Sequence, residues 1–253
     1  MWFRPFPIGF YYSGYAHEGA FWLTVALAMA TVTLSLVFSI RMLHDPRTQS
    51  LRKLAWIWSF ENVLLAMAAF NRLFIYIDFN GLTRMRVIGL LGVATVLVGF
   101  ALVVYKIAKQ CDFGWLIQRQ LWALGLAFVV YAALPVDSIV HRFNAREIMA
   151  GRPEASVQII MHPMHADGML PLLNLIDCED VTIRDGVRAL AAKWWLQLKE
   201  KELESQDWTR LQISEVLLKA ELKKIEEKIS IYTNQVEQDA TLLHFREYAY
   251  QWY

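Results

Sequence analysis

The stretch AFWLTVALAMATVTLSLVFSI, residues 20–40, carries no charged residue and decides the fold class. A helix needs about 17–25 mostly apolar residues to cross a bilayer, so this stretch predicts a transmembrane helix. Residues 87–105, VIGLLGVATVLVGFALVVY, are equally free of charge, and residues 54–79 and 115–134 are also long and largely apolar. We therefore predict an all-α protein built on an integral membrane bundle of four transmembrane helices.

The overall composition agrees with this prediction. Apolar residues make up 56% of the chain and the mean hydropathy is +0.30, whereas soluble domains are about 45–50% apolar. The net charge of +1 gives no electrostatic reason to expect nucleic-acid binding. Cys111 and Cys178 lie in no CxxC motif, so the sequence predicts neither a disulfide framework nor a zinc site. No cofactor is predicted.

The chain divides into three predicted parts. Residues 1–18 are aromatic and broken by prolines, and they are too short to span, so we expect them to lie on the bilayer surface. Residues 19–134 form the four-helix transmembrane domain, and residues 135–253 form a helical extramembrane region. Lys and Arg are shared equally between the two sides of the membrane, so their distribution assigns no orientation.

The extramembrane region contains a heptad pattern. Over residues 208–237 we predict one amphipathic helix whose apolar residues are spaced alternately by four and three: Leu218, Leu222, Ile225, Ile229, Tyr232 and Val236. Such a seam packs either within the chain or against a second copy or a protein partner, and the spacing alone does not choose between them.

The second predicted span carries polar residues. Glu61 and Arg72 are eleven residues apart, which is three helical turns, and therefore share one face of the helix. Charges inside a bilayer are costly unless they are paired or hydrated, so Glu61 and Arg72 should face the bundle interior or a water-filled crevice. With Asn62 and Asn71 they serve either as helix-packing contacts or as the lining of a polar path for an ion, a proton or a substrate.

The turn FNGLTRMR, residues 79–86, follows this span. Asn80-Gly81 is a turn dipeptide in which Gly81 can adopt a positive φ, and Thr83 is placed to cap the next helix. Arg84 and Arg86 fall in the first turn of that helix, where the macrodipole disfavours cations. They either have an anionic partner, Asp78 or a lipid phosphate, or are plain membrane-flanking arginines that need no special partner.

Two further motifs follow the last span. In VDSIVHRFNAR, residues 136–146, the side chains of Asp137, Arg142 and Asn144 form either a headgroup-binding or interface motif, together with the preceding turn, or a simple charged helix end. In HPMHAD, residues 162–167, His162, His165 and Asp167 are weak metal-ligand candidates, because a proline separates the histidines and no further ligand has a diagnostic spacing. No catalytic residues are predicted, since the sequence lacks motifs such as GxSxG and HExxH.

Several of these motifs, taken in order, resemble a bacterial integral-membrane family of domains of unknown function, the 4153/4173 type. The resemblance rests on Tyr76 with Gly81-Leu82-Thr83 and Arg86, on Asp137 with Arg142 and Asn144, and on the segments GAFWLTVALA, HADGMLPLLNLI and DWTRLQIS. It covers residues 14–217. It implies the C-terminal half of a member, without the usual upstream hydrophobic half and with an extra tail from about residue 219. It supplies a fold and a location but no mechanism.

These observations give two functional expectations. The first is a multi-pass inner-membrane protein that acts as a structural or assembly component and contacts lipid headgroups or a protein partner. The alternative is a transporter or channel module in which Glu61 and Arg72 line a polar path.

Overall fold

A computed structural model describes residues 12–38, 49–204 and 212–252, and it is all-helical over these residues. Four long helices come first: α1 (Tyr12–Val37), α2 (Gln49–Asn80), α3 (Arg84–Lys109) and α4 (Phe113–Ala133). The remaining helices are α5 (Val136–Met149), α6 (Val157–Ile160), α7 (Ala166–Leu172), α8 (Val181–Glu204), α9 (Ile213–Lys224), α10 (Glu226–Ile229) and α11 (Gln235–Tyr250). Short 3-10 turns lie at Pro153–Ser156, Leu173–Leu175 and Ser230–Thr233.

Three helices, α2, α3 and α4, are long and apolar enough to cross a membrane. In α1 the apolar stretch that meets the same composition is shorter, Phe21–Val37. The helix α1 begins at Tyr12, inside the segment 1–18 that was predicted to lie on the bilayer surface, and residues 1–11 of that segment lie outside the described residues.

The chain forms two compact units. We call residues 12–38, 49–76 and 85–134 the apolar-helix unit, and residues 77–84 and 135–252 the C-terminal helical unit. The sequence analysis placed residues 77–84 in the transmembrane domain. The structure instead assigns this turn to the C-terminal helical unit, because side chains of that unit hydrogen-bond to it.

The buried face of α2 carries small and polar residues along its first five positions and larger side chains toward its end. Its members are spaced alternately by four and three, and they are Ala55, Ser59, Asn62, Ala66, Ala69, Leu73 and Tyr76. The Ser59 hydroxyl donates to the Ala55 carbonyl at 2.7 Å and the Asn62 amide donates to the Trp58 carbonyl at 2.8 Å, so both groups are satisfied within the helix. Small residues on such a face let neighbouring helices approach closely.

The C-terminal helical unit has one hydrophobic core. Its buried side chains come from α5 to α11 and from the turns between them, and the fully buried ones include Ile159, Met169, Leu172, Leu175, Ile183, Val187, Leu218, Leu222, Ile229 and Phe245. The core therefore combines residues from both the middle and the end of the chain.

The prediction of one continuous helix over residues 208–237 is wrong. Residues 205–211 lie outside the described residues, α9 ends at Lys224, and α11 begins at Gln235. The hydroxyls of Ser230 and Thr233 donate to nearby carbonyls, and Asn234 is extended and caps α11 by accepting from the Val236 N–H at 3.0 Å.

The residues of the predicted seam are mostly inside this unit. Leu218, Leu222 and Ile229 are fully buried in the core, whereas Val236 is 78% exposed. Self-association through this seam stays a prediction, and Val236 is the seam residue most accessible to a second chain.

Candidate functional site

The candidate site is built around the turn between α2 and α3. The helix α2 ends at Asn80, and Gly81 has φ +79°, as the Asn-Gly dipeptide predicted. The Gly81 N–H donates to the Ile77 carbonyl at 2.8 Å, which satisfies a carbonyl of the last helical turn. The helix α3 begins at Arg84, directly after Thr83.

Alternate residues of the turn are held by three side chains, and we call this arrangement the turn clamp. The Gln158 amide donates to the Asn80 carbonyl at 2.8 Å. The Asn144 amide donates to the Leu82 carbonyl at 2.9 Å and its oxygen accepts from the Leu82 N–H at 2.7 Å. The third contact is a bidentate ion pair from the Arg84 guanidinium to the Asp137 carboxylate.

Gly81 is required in the turn clamp for two reasons. Its positive φ disfavours any residue with a Cβ. In addition, a Cβ at this position would lie 2.6 Å from Asn144 Oδ1 and 3.1 Å from the Ala155 Cβ. The backbone of the turn can therefore pack against α5 only because the side chain is absent.

Asp137 is the electrostatic centre of the turn clamp. Its side chain is only 4% exposed. Burial alone would raise the pKa of this carboxyl, but hydrogen bonds from Arg84 and from the backbone N–H and ring of His165 outweigh burial and lower the pKa to about 2. Asp137 is therefore ionised at neutral pH, and its charge is matched by Arg84.

His165 lies between the two members of this ion pair. Its Nδ1 is 2.8 Å from Arg84 Nη2 and 2.9 Å from Asp137 Oδ2. Nδ1 accepts from Arg84 when it carries no proton and donates to Asp137 when it does, so only one of these hydrogen bonds forms at a time. The ring is 73% exposed, so this side chain is accessible from solvent.

His141 lies behind Asp137, one helical turn along α5, and is 3% exposed. A Cβ at Gly168 would lie 2.8 Å from the His141 ring and 3.0 Å from the Asp137 Cβ, so Gly168 lets α7 pack closely on α5. Among the described residues, the Nδ1 atom of His141 has no hydrogen-bond partner. Burial lowers the pKa of this imidazole to about 4, while nearby Asp137 raises it and Arg84 lowers it further.

The low pKa of His141 predicts a loss of stability in mild acid. The unfolded chain binds the proton near pH 6.5 and the folded chain only near pH 4, so stability is complete above pH 6.5 and falls as the pH decreases to 4. The C-terminal helical unit should be less stable by about 2 kcal/mol at pH 5 than at pH 7.5. Urea unfolding at the two pH values measures the difference. His141→Gln should remove most of it, whereas replacing the exposed His244 by Gln should not.

Some of the predicted interface residues have a partner within the protein, and others are exposed. Arg84 pairs with Asp137, whereas Asp78, the acid that the sequence analysis offered as its partner, is exposed. A lipid phosphate as a partner of these arginines stays a prediction. The Arg86 guanidinium lies 3.8 Å from the centre of the Tyr76 ring. Arg142 is exposed, one residue after the buried His141.

The weak metal candidates are only partly brought together. Donor atoms of His165 and Asp167 lie within 4.8 Å of each other and of Asp137, which the sequence analysis did not include. His162 is exposed and does not belong to this group. A cation bound by this group would compete with Arg84 for the same carboxylate, so the donor set favours the ion pair.

The predicted polar-path residues of α2 do not share one environment. Glu61 is exposed, whereas Asn62 lies on the buried face and Asn71 is half-buried. The guanidinium of Arg72 lies against α1, where a Cβ at Gly19 would be 1.8 Å from its Nη1. The close approach of α1 and α2 at this point therefore depends on Gly19.

Two further polar residues were missed by sequence reasoning. Lys106 is fully buried in the apolar-helix unit and donates to the Ser35 carbonyl at 3.1 Å, near the end of α1. Gln158 is 4% exposed and contacts the turn at Asn80. In the sequence, Lys106 has the position of an ordinary charged residue at the end of a membrane span. Gln158 contacts a residue seventy-eight positions away. No local sequence pattern therefore identifies either residue.

Within the described ranges the chain is all-helical, with three helices long and apolar enough to cross a membrane, and this fold class is compatible with a membrane protein. Over residues 2–173 it matches the family described as Domain of unknown function (DUF4153), and it belongs to that family. This confirms the predicted resemblance over the matched residues, and the match ends before the segment DWTRLQIS, whose resemblance stays a prediction. No curated protein and no solved structure matches the chain.

Proposed function

We propose that this chain is a multi-pass inner-membrane protein with four membrane-spanning helices, α1 to α4. In this proposal it is a structural or assembly component that holds the C-terminal helical unit at a membrane surface and contacts anionic lipid headgroups. The observation that carries the proposal is the division of α5 into two faces, one that clamps the turn and one that presents two exposed arginines.

The fourth span is α1. Its apolar stretch, Phe21–Val37, is about 17 residues long, which is at the lower end of the range of about 17–25 apolar residues that a span needs. In this proposal α3 crosses the membrane and α4 crosses back. The turn at residues 77–84, which precedes α3, and the start of α5, which follows α4, therefore lie on the same side.

The outer face of α5 has the composition of a membrane-contacting surface. Arg142 and Arg146 are exposed and one helical turn apart, and they form no ion pair with any residue that the structure describes. Ile139 and Met149, which lie on the same face, are 39% and 65% exposed. Cationic and apolar side chains on one helix face favour an anionic lipid surface.

The opposite face of α5 fixes this orientation. Asp137 and Asn144 hold the turn, and Ile148 belongs to the core of the C-terminal helical unit. The helix therefore cannot rotate to bury its arginines without breaking the turn clamp. The proposed headgroup contact is a property of the folded unit.

Replacing both arginines tests the proposal. Each arginine near an anionic surface contributes about 1 kcal/mol, so Arg142→Gln with Arg146→Gln should lower the preference for phosphatidylglycerol over phosphatidylcholine by up to roughly 30-fold. Native mass spectrometry of the protein released from mixed nanodiscs measures the ratio of the two lipids that remain bound.

Arg152→Gln is the matched control. Arg152 is also exposed, but its charge is already paired with Glu147. An unchanged lipid ratio in the double variant, or an equal loss in the control, would contradict the proposal. The transport alternative gains no specific support, because Glu61 is exposed and Arg72 packs against Gly19.

A further inference from the structure

The Oδ2 atom of Asp137 has more donors around it than it can accept from at once. Arg84 Nη2 and the His165 backbone N–H both donate to this oxygen, and a carboxylate oxygen has two lone pairs. His165 Nδ1 also lies 2.9 Å from it. A proton on Nδ1 would therefore be a third donor to an oxygen whose two lone pairs are already in use.

The neutral His165 ring is compatible with these contacts. When its proton is on Nε2, Nδ1 accepts from Arg84 Nη2, and the two nitrogens lie 2.8 Å apart. The guanidinium of Arg84 is then held by the histidine and by the Asp137 carboxylate together. The ring is exposed and Arg84 is partly exposed. Protons therefore reach the ring from solvent, and a displaced guanidinium can move into water.

We propose that protonation of His165 exchanges the partners of Asp137 and thereby loosens the turn between α2 and α3. Histidine is the side chain that ordinarily changes its charge between about pH 5 and 8. Once protonated, Nδ1 donates to Asp137 Oδ2, and its positive charge repels the Arg84 guanidinium from that oxygen. Arg84 keeps only the hydrogen bond from Nε to Oδ1, so one of the three contacts of the turn clamp is weakened.

A second carboxylate balances the charge of the protonated state. The charged and titratable groups around His165 are Arg84 of α3, Asp137 and His141 of α5, Asp167 of α7, and His162, three residues earlier. Donor atoms of Asp167 lie within 4.8 Å of those of Asp137 and His165. Asp167 itself accepts a long hydrogen bond of 3.4 Å from the Ser138 N–H. Two carboxylates therefore face the two cations once His165 is charged.

Hydrogen–deuterium exchange of the turn tests the proposal. The full-length protein in nanodiscs of phosphatidylcholine is exchanged at about pH 8 and at about pH 5.5. Mass spectrometry follows the peptide of residues 79–86, in which the Gly81 and Leu82 N–H groups are hydrogen-bonded. Intrinsic amide exchange changes with pH, so each rate is divided by that of His165→Gln at the same pH. This ratio should rise by about threefold or more on acidification, because a partly exposed ion-pair contact contributes modestly to the protection of the turn.

Two variants and one reference peptide separate this effect from others. His162→Gln is the matched control and should keep the rise, whereas Arg84→Gln should lose it and replaces His165→Gln as the reference if that variant does not fold. Residues 187–195 of α8 report opening of the whole unit, to which protonation of His141 contributes, and their ratio should stay constant.

The proposal is overturned if the turn ratio does not rise, if His162→Gln abolishes the rise, if Arg84→Gln retains it, or if the α8 peptide shows the same rise. The measurement involves no lipid selectivity, so its result does not depend on the headgroup proposal.

Discussion

Phe245→Ala is expected to destabilise the C-terminal helical unit by about 3–5 kcal/mol, the usual cost of removing a fully buried phenyl ring. Phe245 has no exposed surface, and its ring lies on α8 where a Cβ at Gly186 would be only 2.3 Å away. The ring therefore fills a space that exists because Gly186 of α8 has no side chain. For the same reason, no side chain at position 186 can fill the cavity that alanine would leave.

The measurement is urea unfolding of the whole protein in mild detergent, followed by alkylation of Cys178. This thiol is half-buried beside the core of the C-terminal helical unit, so it reports the opening of that unit, and Cys111→Ser removes the other thiol. Leu243→Ala is the control on the same helix, since Leu243 is 55% exposed and should cost under about 0.5 kcal/mol. Equal losses of unfolding free energy in the two alanine variants would contradict the packing of the Phe245 ring against Gly186.

The same pair of residues predicts a coupling. Gly186→Ala forces its Cβ into the Phe245 ring and should cost about 1–3 kcal/mol alone. In the Phe245→Ala background the clash is absent, so the second change should cost far less, and the two effects will not add. Both residues lie beyond residue 173, where the family match ends. A measured coupling would therefore show that the folded unit extends past the matched residues.

Sequence reasoning located the long helices well because hydropathy is a local property. The predicted span 54–79 lies within α2 and the predicted span 87–105 within α3. The positive φ of Gly81 was equally predictable, since the turn dipeptide determines it.

The partner of Arg84 was not predictable in the same way. The sequence analysis looked for the nearest acid, Asp78, whereas the ion pair is made with Asp137, fifty-three residues away. Asp137 and Asn144 were singled out, but their contacts with the turn depend on how α5 packs. No spacing rule reports such a contact.

The heptad pattern failed for a different reason. Leu218, Leu222 and Ile229 keep helical spacing because each contacts the same core, although α9, α10 and α11 are separate helices. The spacing of apolar residues indicates which residues are buried, but it does not show whether one uninterrupted helix connects them. The polar residues Ser230, Thr233 and Asn234 were the local signal of the break.

Asp137→Ala should destabilise the protein by roughly 3–4 kcal/mol, because it removes the buried carboxylate to which Arg84 and the His165 N–H donate. Arg84 is 36% exposed, so water recovers part of the loss and the cost stays in the lower part of the range for buried pairs. Unfolding followed through Cys178 measures the change. Asp167→Ala is the control in the same cluster, since Asp167 accepts one long hydrogen bond of 3.4 Å from the Ser138 N–H, and it should cost under about 1 kcal/mol.

The acid dependence of this ion pair separates it from other causes of instability. The pKa of Asp137 is about 2 in the folded protein and 3.8 in the unfolded chain, so its contribution of about 2 kcal/mol is present above pH 4 and is lost as the pH falls from 4 to 2. Asp137→Asn should abolish that dependence while keeping an acceptor for the His165 N–H. It should enlarge the His141 dependence and extend it below pH 4, because the Asp137 charge no longer raises the pKa of His141. The comparison is therefore made with His141→Gln in both chains, where an Asp137→Asn variant that still loses stability between pH 4 and 2 as its parent does would show that the Asp137–Arg84 pair does not hold the turn.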